Sequence, residues 1–250
     1  MNFSVLTLFP GLLETFLQHG VIGRAIDAGV ITGRVVNIRA FSADRHNTVD
    51  DKPYGGGCGM VMKPEPLDAA AEFAVKETPG AKVLLMTPQG SRFDQRKAEE
   101  LAFERKDLIL ICGRYEGIDE RVCAKHVDEE ISVGDYVMTG GEVAAMAVIE
   151  AVARLLPGVL GGRESASEDS FADGRLEHNH YTRPEVFEGE PVPDVLLSGN
   201  HGLISGWRRK DSLIRTYMKR PDLFDQKKPT EAERLVLKQI CRELEEIAGK

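Results

Sequence analysis

No stretch of this 250-residue chain approaches the run of about 18 apolar residues that spans a bilayer, so no membrane is expected among its partners. Cysteine is sparse: Cys58, Cys112, Cys123 and Cys241 form no C-x-x-C, which argues against a zinc site and for free thiols in a reducing compartment. The opening Met1-Asn2-Phe3-Ser4 lacks the basic residues of a secretion signal, so a cytoplasmic location is expected. A Walker A loop is missing, since Gly-Lys occurs only as Gly249-Lys250. Internal repeats are missing as well. Positive charge is in deficit, with 32 basic against 40 acidic residues and a net charge of −8, which in bulk argues against a nucleic-acid partner and leaves DNA unexpected.

What the chain does have is glycine in one place. Asp50-Asp51-Lys52-Pro53-Tyr54-Gly55-Gly56-Gly57-Cys58-Gly59-Met60 concentrates it between two carboxylates, a proline and an aromatic. Such a run persists where a chain turns tightly or lies close to something. It fails the dinucleotide pattern G-x-G-x-x-G, because Met60 and Met62 stand where the third glycine would fall. Either a ligand site or a multi-turn connection between two sheet elements fits it.

Hydrophobic periodicity reads as α/β. Phe3 to Phe9 alternates as a first strand, Leu12 to Ala28 has helical spacing, and Val30 to Ile38 reads as a second strand. Pro64 to Lys76 reads as a helix. Lys82 to Met86 and Leu108 to Cys112 are short continuous apolar runs, separated by a helix that Asp94 can cap and that runs through Glu104. A weaker strand covers Glu130 to Val133, and Glu142 to Leu156 is a small-residue apolar helix. Continuous apolar strands alternating with helices predict a parallel sheet with helices on both faces, in a doubly wound order. Gly158 to Gly174 is rich in Gly, Ser, Glu and Asp, poor in apolar residues, and reads as a flexible linker. Beyond it, Leu203 to Arg220 and Thr230 to Ala248 read as helices, the last with an apolar stripe of Ala232, Leu235, Ile240, Leu244 and Ile247. The expected division is therefore a sheet domain over 1–160, a linker over 161–176 and a small helical domain over 177–250.

Charge is distributed unevenly. From His201 to Lys228 stand Arg208, Arg209, Lys210, Arg215, Lys219, Arg220, Lys227 and Lys228 against Asp211, Asp222 and Asp225, so 8 − 3 = +5. A basic stretch in an acidic protein is a candidate polyanion contact, or a solvated helix face. His178 and His180 could share a metal, but no cysteine or further histidine lies nearby, and hydrogen bonding is the favoured role.

In open parallel sheets ligands bind outside the carboxyl ends of the strands. Three segments end there in turns that mix glycine with polar or aromatic residues: Thr87-Pro88-Gln89-Gly90, Gly113-Arg114-Tyr115-Glu116-Gly117, and Gly134-Asp135-Tyr136-Val137-Met138-Thr139-Gly140-Gly141. Glycines let backbone amides approach a ligand and tyrosines wall it, so a nucleotide-like pocket is expected. An ordinary nucleotide-binding domain remains open on this pattern, though its usual motifs are missing.

These turns, with Pro53-Tyr54-Gly55-Gly56-Gly57, Ile118-Asp119-Glu120-Arg121, Glu142, His180-Tyr181-Thr182-Arg183-Pro184 and Leu197-Ser198-Gly199-Asn200-His201, resemble the bacterial tRNA (guanine-N1)-methyltransferase family, TrmD, in the family's order and over almost the full length. The one departure noted is Cys58, where many members carry proline. The resemblance implies a trefoil knot at the C-terminal end of the sheet domain, where periodicity alone gives an unknotted sheet. It implies S-adenosyl-L-methionine bound in the knot loops by Thr87, Pro88, Gln89, Gly113 and Glu116, by Ser132, Val133, Gly134, Asp135, Tyr136, Val137 and Met138, and by Gly140 and Gly141. It further implies methylation of guanosine 37 of tRNA at N1, a homodimer whose sites are shared between subunits, and a magnesium ion for which the sequence offers no ligand cluster.

Guanine N1 carries a proton and is a poor nucleophile until that proton leaves. The reaction needs a base near N1, a cation near O6 and in-line placement of the methyl group. By resemblance the base is Asp169 and the cation Arg154. Arg208 and Arg209 would hold the tRNA backbone, and the loop of Tyr54, Gly55, Gly56 and Gly57 would lie near the extruded guanine, with Tyr54 stacking on it.

Overall fold

The computed structural model describes residues 1–161 and 169–249. The chain divides into two compact units, Met1–Arg163 and Glu164–Lys250.

In the first unit the elements run β1 (Asn2–Thr7), α1 (Pro10–Leu17), α2 (Gly20–Asp27), β2 (Thr32–Asn37), β3 (Asp50–Asp51), β4 (Val61–Met62), α3 (Pro64–Glu77), β5 (Lys82–Arg92), α4 (Gln95–Glu104), β6 (Leu108–Cys112), α5 (Glu120–His126), β7 (Glu129–Ser132) and α6 (Glu142–Ala153). Five strands form one parallel sheet in the order β2-β1-β6-β5-β7. The apolar runs are buried on both faces, as their lack of alternation predicts. In β6, Leu108, Leu110 and Cys112 enter the core shared with α1, α2, α4 and α6, while Ile109 and Ile111 enter the core beneath α3 and α5. Each such buried side chain contributes about 1.5–3 kcal/mol of transfer free energy.

Three local features depart from the expectation. The helix read from Leu12 to Ala28 is two helices, broken at Gln18–His19, with Gly20 at φ +66° opening the second. An added Cβ on Gly23 would stand 2.5 Å from the Gln18 carbonyl oxygen, so the helices meet where only glycine fits. Strand β5 does not stop at Met86. Its register breaks between Met86 and Ser91, and Ser91 and Arg92 then pair with Ile131 and Ser132 of β7. Pro88 has no N–H to give a ladder, so the residues from Thr87 to Gly90 leave the sheet as a bulge. Helix α5 was not read from the sequence. It is seven residues long, too short for periodicity to mark, and its start is signalled by Asp119, whose side chain accepts from Arg121 N at 3.0 Å.

The second unit contains β8 (Val186–Phe187), β9 (Glu190–Pro191), α7 (Asp194–Leu197), α8 (His201–Lys219), α9 (Asp222–Gln226) and α10 (Glu231–Ala248). Its apolar core is small, led by Leu213 and Leu223. A buried ion pair supplements it. Arg175 is 2% exposed, and its Nε donates to Glu233 Oε1 at 2.9 Å. The remaining guanidinium nitrogens donate to the carbonyls of Leu223 and Lys227 at 3.1 and 2.9 Å, and the group stacks on Phe224 at 4.3 Å. Burial alone would raise the Glu233 carboxyl, but the Thr230 amide, Arg175 and the Thr230 hydroxyl outweigh it and hold it below its ordinary range. Thr230 and Glu233 also form a reciprocal capping box that starts α10.

Of the stretch read as a linker, 162–168 lies outside the described residues. The part from Asp169 onward belongs to the second unit and brings Arg175 into its core. Low apolar content hid this, because the packing there is ionic. The apolar stripe read on the last helix matches its inward face only at Ile240, and the Ile247 side chain lies outside the described residues. Leu235 and Leu244 are exposed, while Glu233, Val236, Leu237 and Ile240 turn inward.

Candidate functional site

The carboxyl ends of β5, β6 and β7 surround one cavity of about 290 Å³, at the small end of ligand pockets. All the residues expected at a cofactor line it except Asp135: Thr87, Pro88 and Gln89 from the bulge, Gly113 and Glu116 from the turn after β6, Ser132 to Gly134 and Tyr136 to Met138 after β7, then Gly140 and Gly141.

Close backbone approach makes these turns possible. A Cβ on Gly90 would lie 2.3 Å from the Glu130 carbonyl carbon, and one on Gly141 would lie 2.9 Å from Cys112 Cα and Met86 Cβ. Gly141 N donates to Gly113 O at 2.9 Å, joining the start of α6 to the end of β6. The glycine-rich loop is the tip of the β3–β4 hairpin, with Gly55, Gly56, Gly57 and Gly59 at positive φ. It lies against the turn after β6, where Glu116 N donates to Met60 O at 2.9 Å and Met62 N to Gly117 O at 2.9 Å. Gly59 touches Glu116, so an added Cβ would stand 2.3 Å from its carboxylate oxygen. Tyr54 is fully exposed at the loop tip.

Beneath the cavity lies a polar network whose role the sequence reading missed. Glu142, only 1% exposed, accepts from Thr7 Oγ1 at 2.8 Å and from Arg114 Nε at 2.9 Å. Arg114 also donates to Thr139 O at 3.2 Å and stacks on Phe9 at 4.3 Å. Arg114 and Glu142 together therefore tie β1 and the residues just after it, the turn after β6, the loop before α6 and the start of α6 to one another. The available signal was a carboxylate at the first position of a helix whose one other charged residue is Glu150, a position where it also favours the helix dipole.

Cysteine chemistry has no support in the cavity. Burial pushes the Cys123 thiol up to about 11, and burial with the nearby Glu142 carboxylate raises Cys112, so both stay protonated near neutrality. Among the described residues one cluster of possible metal ligands forms, Asp68, Glu72 and His126 on α3 and α5. Lys125 Nζ fills it, at 2.8 Å from Asp68 Oδ1 and 2.8 Å from Glu72 Oε1, while His126 Nε2 meets Asp68 at 2.6 Å. A resident ammonium leaves no seat for a magnesium ion there. His178 and His180 lie ring against ring, with centroids 4.5 Å apart, and form part of no such cluster.

Arg154 caps the C-terminal end of α6 in the first unit. Asp169 opens a turn in the second unit, where its carbonyl accepts from Ala172 N at 3.2 Å. Arg208 and Arg209 are exposed on α8, and no carboxylate pairs with either among the described residues. Other cations of the basic stretch are engaged: Lys210 with Glu243, Arg220 with Asp222, Lys228 with Asp225.

A family model described as tRNA (Guanine-1)-methyltransferase TrmD matches residues 1–226. The chain is similar to proteins named tRNA (guanine-N(1)-)-methyltransferase. It is 49% identical to that of Geobacillus kaustophilus over 245 residues, covering 98% of this chain and 100% of that one. It is 52% identical to that of Anoxybacillus flavithermus over 240 residues, 96% of this chain and 98% of that one. With that of Citrifermentans bemidjiense it shares 54% over 225 residues, 90% of each. With the family model spanning nearly the whole chain and relatives at half identity matched end to end, this chain belongs to the tRNA (guanine-1)-methyltransferase TrmD family.

Proposed function

We propose that this protein transfers a methyl group from S-adenosyl-L-methionine to N1 of guanosine 37 of tRNA, next to the anticodon. The observation that carries the reading is the family match over residues 1–226 together with the single cavity that the three glycine turns enclose. The cavity suits the cofactor in chemistry. Its wall combines glycine backbone and apolar side chains with three carboxylates, Glu116, Glu120 and Glu130, against the one guanidinium of Arg114, an acidic balance that complements a cationic ligand. When bound, S-adenosyl-L-methionine supplies a methyl group on a sulfonium, a good leaving group.

The residues of this chain perform the rest. Asp169 takes the N1 proton of guanine. Aspartate is an intrinsically weak base, so Arg154 near O6 stabilises the anion that deprotonation leaves. Tyr54 and the flexible backbone of Gly55, Gly56 and Gly57 accommodate the extruded base, whose unstacking costs a few kcal/mol in a loop. Arg208 and Arg209 contact the tRNA backbone from the helical part of the chain, 177–250. The knotted topology belongs to this reading: after β7 the chain returns to the end of β6, where Arg114 bridges Gly140. A homodimer does too, and Phe9, Leu12, Val137 and Val143 supply exposed apolar surface in the first unit. Among the described residues the one cluster of possible metal ligands, Asp68, Glu72 and His126, already holds the Lys125 ammonium.

The test is transfer of labelled methyl to an unmodified tRNA with guanosine at position 37, beside one with adenosine there. Label should enter only the first. Asp169→Ala should lower kcat by about 10²–10⁴ while leaving cofactor affinity intact. Equal labelling of both tRNAs would remove N1 of guanosine 37 as the target.

A further inference from the structure

We infer that His178, His180, Tyr181 and Trp207 form a stacking platform for an unpaired base of the RNA substrate, a subsite carried wholly by the second unit. The inference rests on the tRNA reading above and adds a recognition element to it.

The platform is built by pinning one extended segment to α8. Leu176 N donates to Thr216 Oγ1 at 3.0 Å, and Ser212 Oγ donates to Leu176 O at 2.6 Å. Asn179 N and Nδ2 donate to the two Asp211 oxygens at 2.6 and 3.1 Å, and Arg215 donates to Asn179 Oδ1. Residues two apart in extended chain share a face. With Asn179 fastened inward, His178 and His180 stand together on the opposite side, their centroids 4.5 Å apart. Trp207 lies 6.1 Å from both His178 and Tyr181.

This aromatic group is not the core of the unit, which is built on Leu213, Leu223 and the Arg175–Glu233 pair. Tyr181 is 47% exposed and the His180 side chain 66% exposed, the latter's ring touching Glu177 at 3.2 Å. Arg208 and Arg209 follow Trp207 directly in α8, with no carboxylate pairing either among the described residues. Exposed Tyr181 and His180 with half-buried His178, and half-buried Trp207 on a helix that also carries these two guanidinium groups with no carboxylate partner among the described residues, offer what single-stranded nucleic acid requires: a π-face for the base and a cation for its phosphate. Drawing the target base out of an anticodon loop leaves its neighbour without a stacking partner, and an aromatic surface replaces that partner.

The chain has one tryptophan, so its emission reports this surface alone. The full-length protein is titrated with the substrate tRNA transcript, with filter retention of the RNA measured in parallel. Saturable quenching of Trp207 emission is expected. Tyr181→Ala should raise KM for tRNA about tenfold or more, with kcat at saturating tRNA and cofactor affinity unchanged, and Tyr181→Phe should restore wild-type KM because the ring alone stacks. Retained tRNA with unmoved emission would overturn the platform, as would a wild-type KM in Tyr181→Ala or a loss that Tyr181→Phe does not repair. A wild-type protein that neither retains nor methylates the tRNA would overturn the functional reading itself, an outcome distinct from the other three.

Discussion

Among single residues, Glu142 has the largest structural role near the cavity. It is buried at the N-terminus of α6 and receives hydrogen bonds from Thr7 and Arg114. Removing one partner of a buried pair leaves the other charge uncompensated, at a cost of about 3–5 kcal/mol. Glu142→Ala should therefore lower the unfolding free energy by that amount, read as a lower denaturant midpoint at unchanged slope, and Glu142→Gln, whose carbonyl oxygen can still accept from Arg114 while its amide donates to the Thr7 hydroxyl, should lose less. Thr7→Val should cost about 1–3 kcal/mol, since it removes a neutral donor to Glu142 and the acceptor of the Phe9 amide, with no charge left unpaired. If Glu142→Ala unfolds at the wild-type midpoint, the network has no stabilising role. Asp169 stands at the other extreme. Nothing in its sequence neighbourhood separates it from Glu164, Glu168 and Asp173, and only family resemblance singles it out as the base.

Element by element, the cavity is made by three strand ends whose turns approach one another more closely than side chains allow. Gly141 sits against Cys112 and Met86, atoms of β6 and β5 that are fixed by the sheet. Gly141→Ala would have to displace backbone on both sides. The expected result is a cofactor affinity at least about tenfold weaker, read by calorimetry, with the far-UV spectrum unchanged. Wild-type affinity in that variant would place the cofactor elsewhere than this cavity. The same reasoning explains the bulge of β5. Gly90 lies on the Glu130–Ile131 peptide, and Pro88 cannot donate to a ladder, so the strand leaves the sheet for the length of Thr87 to Gly90 and rejoins it at Ser91. An apolar run ending in Thr-Pro-Gln-Gly reads as a strand and a turn. The re-pairing beyond it is set by β7, which is distant in sequence.

For the whole molecule, charge decides how an acidic protein holds a polyanion. Net charge is −8, yet Arg208 and Arg209 on α8 have no carboxylate partner among the described residues, while Lys210, Arg220 and Lys228 are paired. Each phosphate neutralised contributes about 0.7–0.9 to the slope of log affinity against log salt. The double variant Arg208→Ala, Arg209→Ala should flatten that slope by up to about 2 and weaken tRNA binding, with cofactor affinity untouched. A parallel loss of cofactor affinity would contradict the assignment.

The sequence by itself determined the α/β class, because strands buried on two faces must be continuously apolar, and it located the glycine turns, because glycine there is demanded locally. Family motifs carried the expected cofactor set, and the cavity wall includes all of it except Asp135. Only the tertiary structure decided the rest. The tally of +5 from His201 to Lys228 counted charges within one stretch, whereas Glu243, far along the chain, neutralises Lys210. The last helix buries Glu233 rather than Leu235 because its partner is the guanidinium of Arg175, an ionic contact that hydrophobic periodicity cannot register. Arg114 and Glu142, 28 residues apart, become one unit only when β6 and α6 are brought together. Periodicity reports which face of an element is apolar, while long-range pairing of charges and close backbone contact depend on which elements become neighbours.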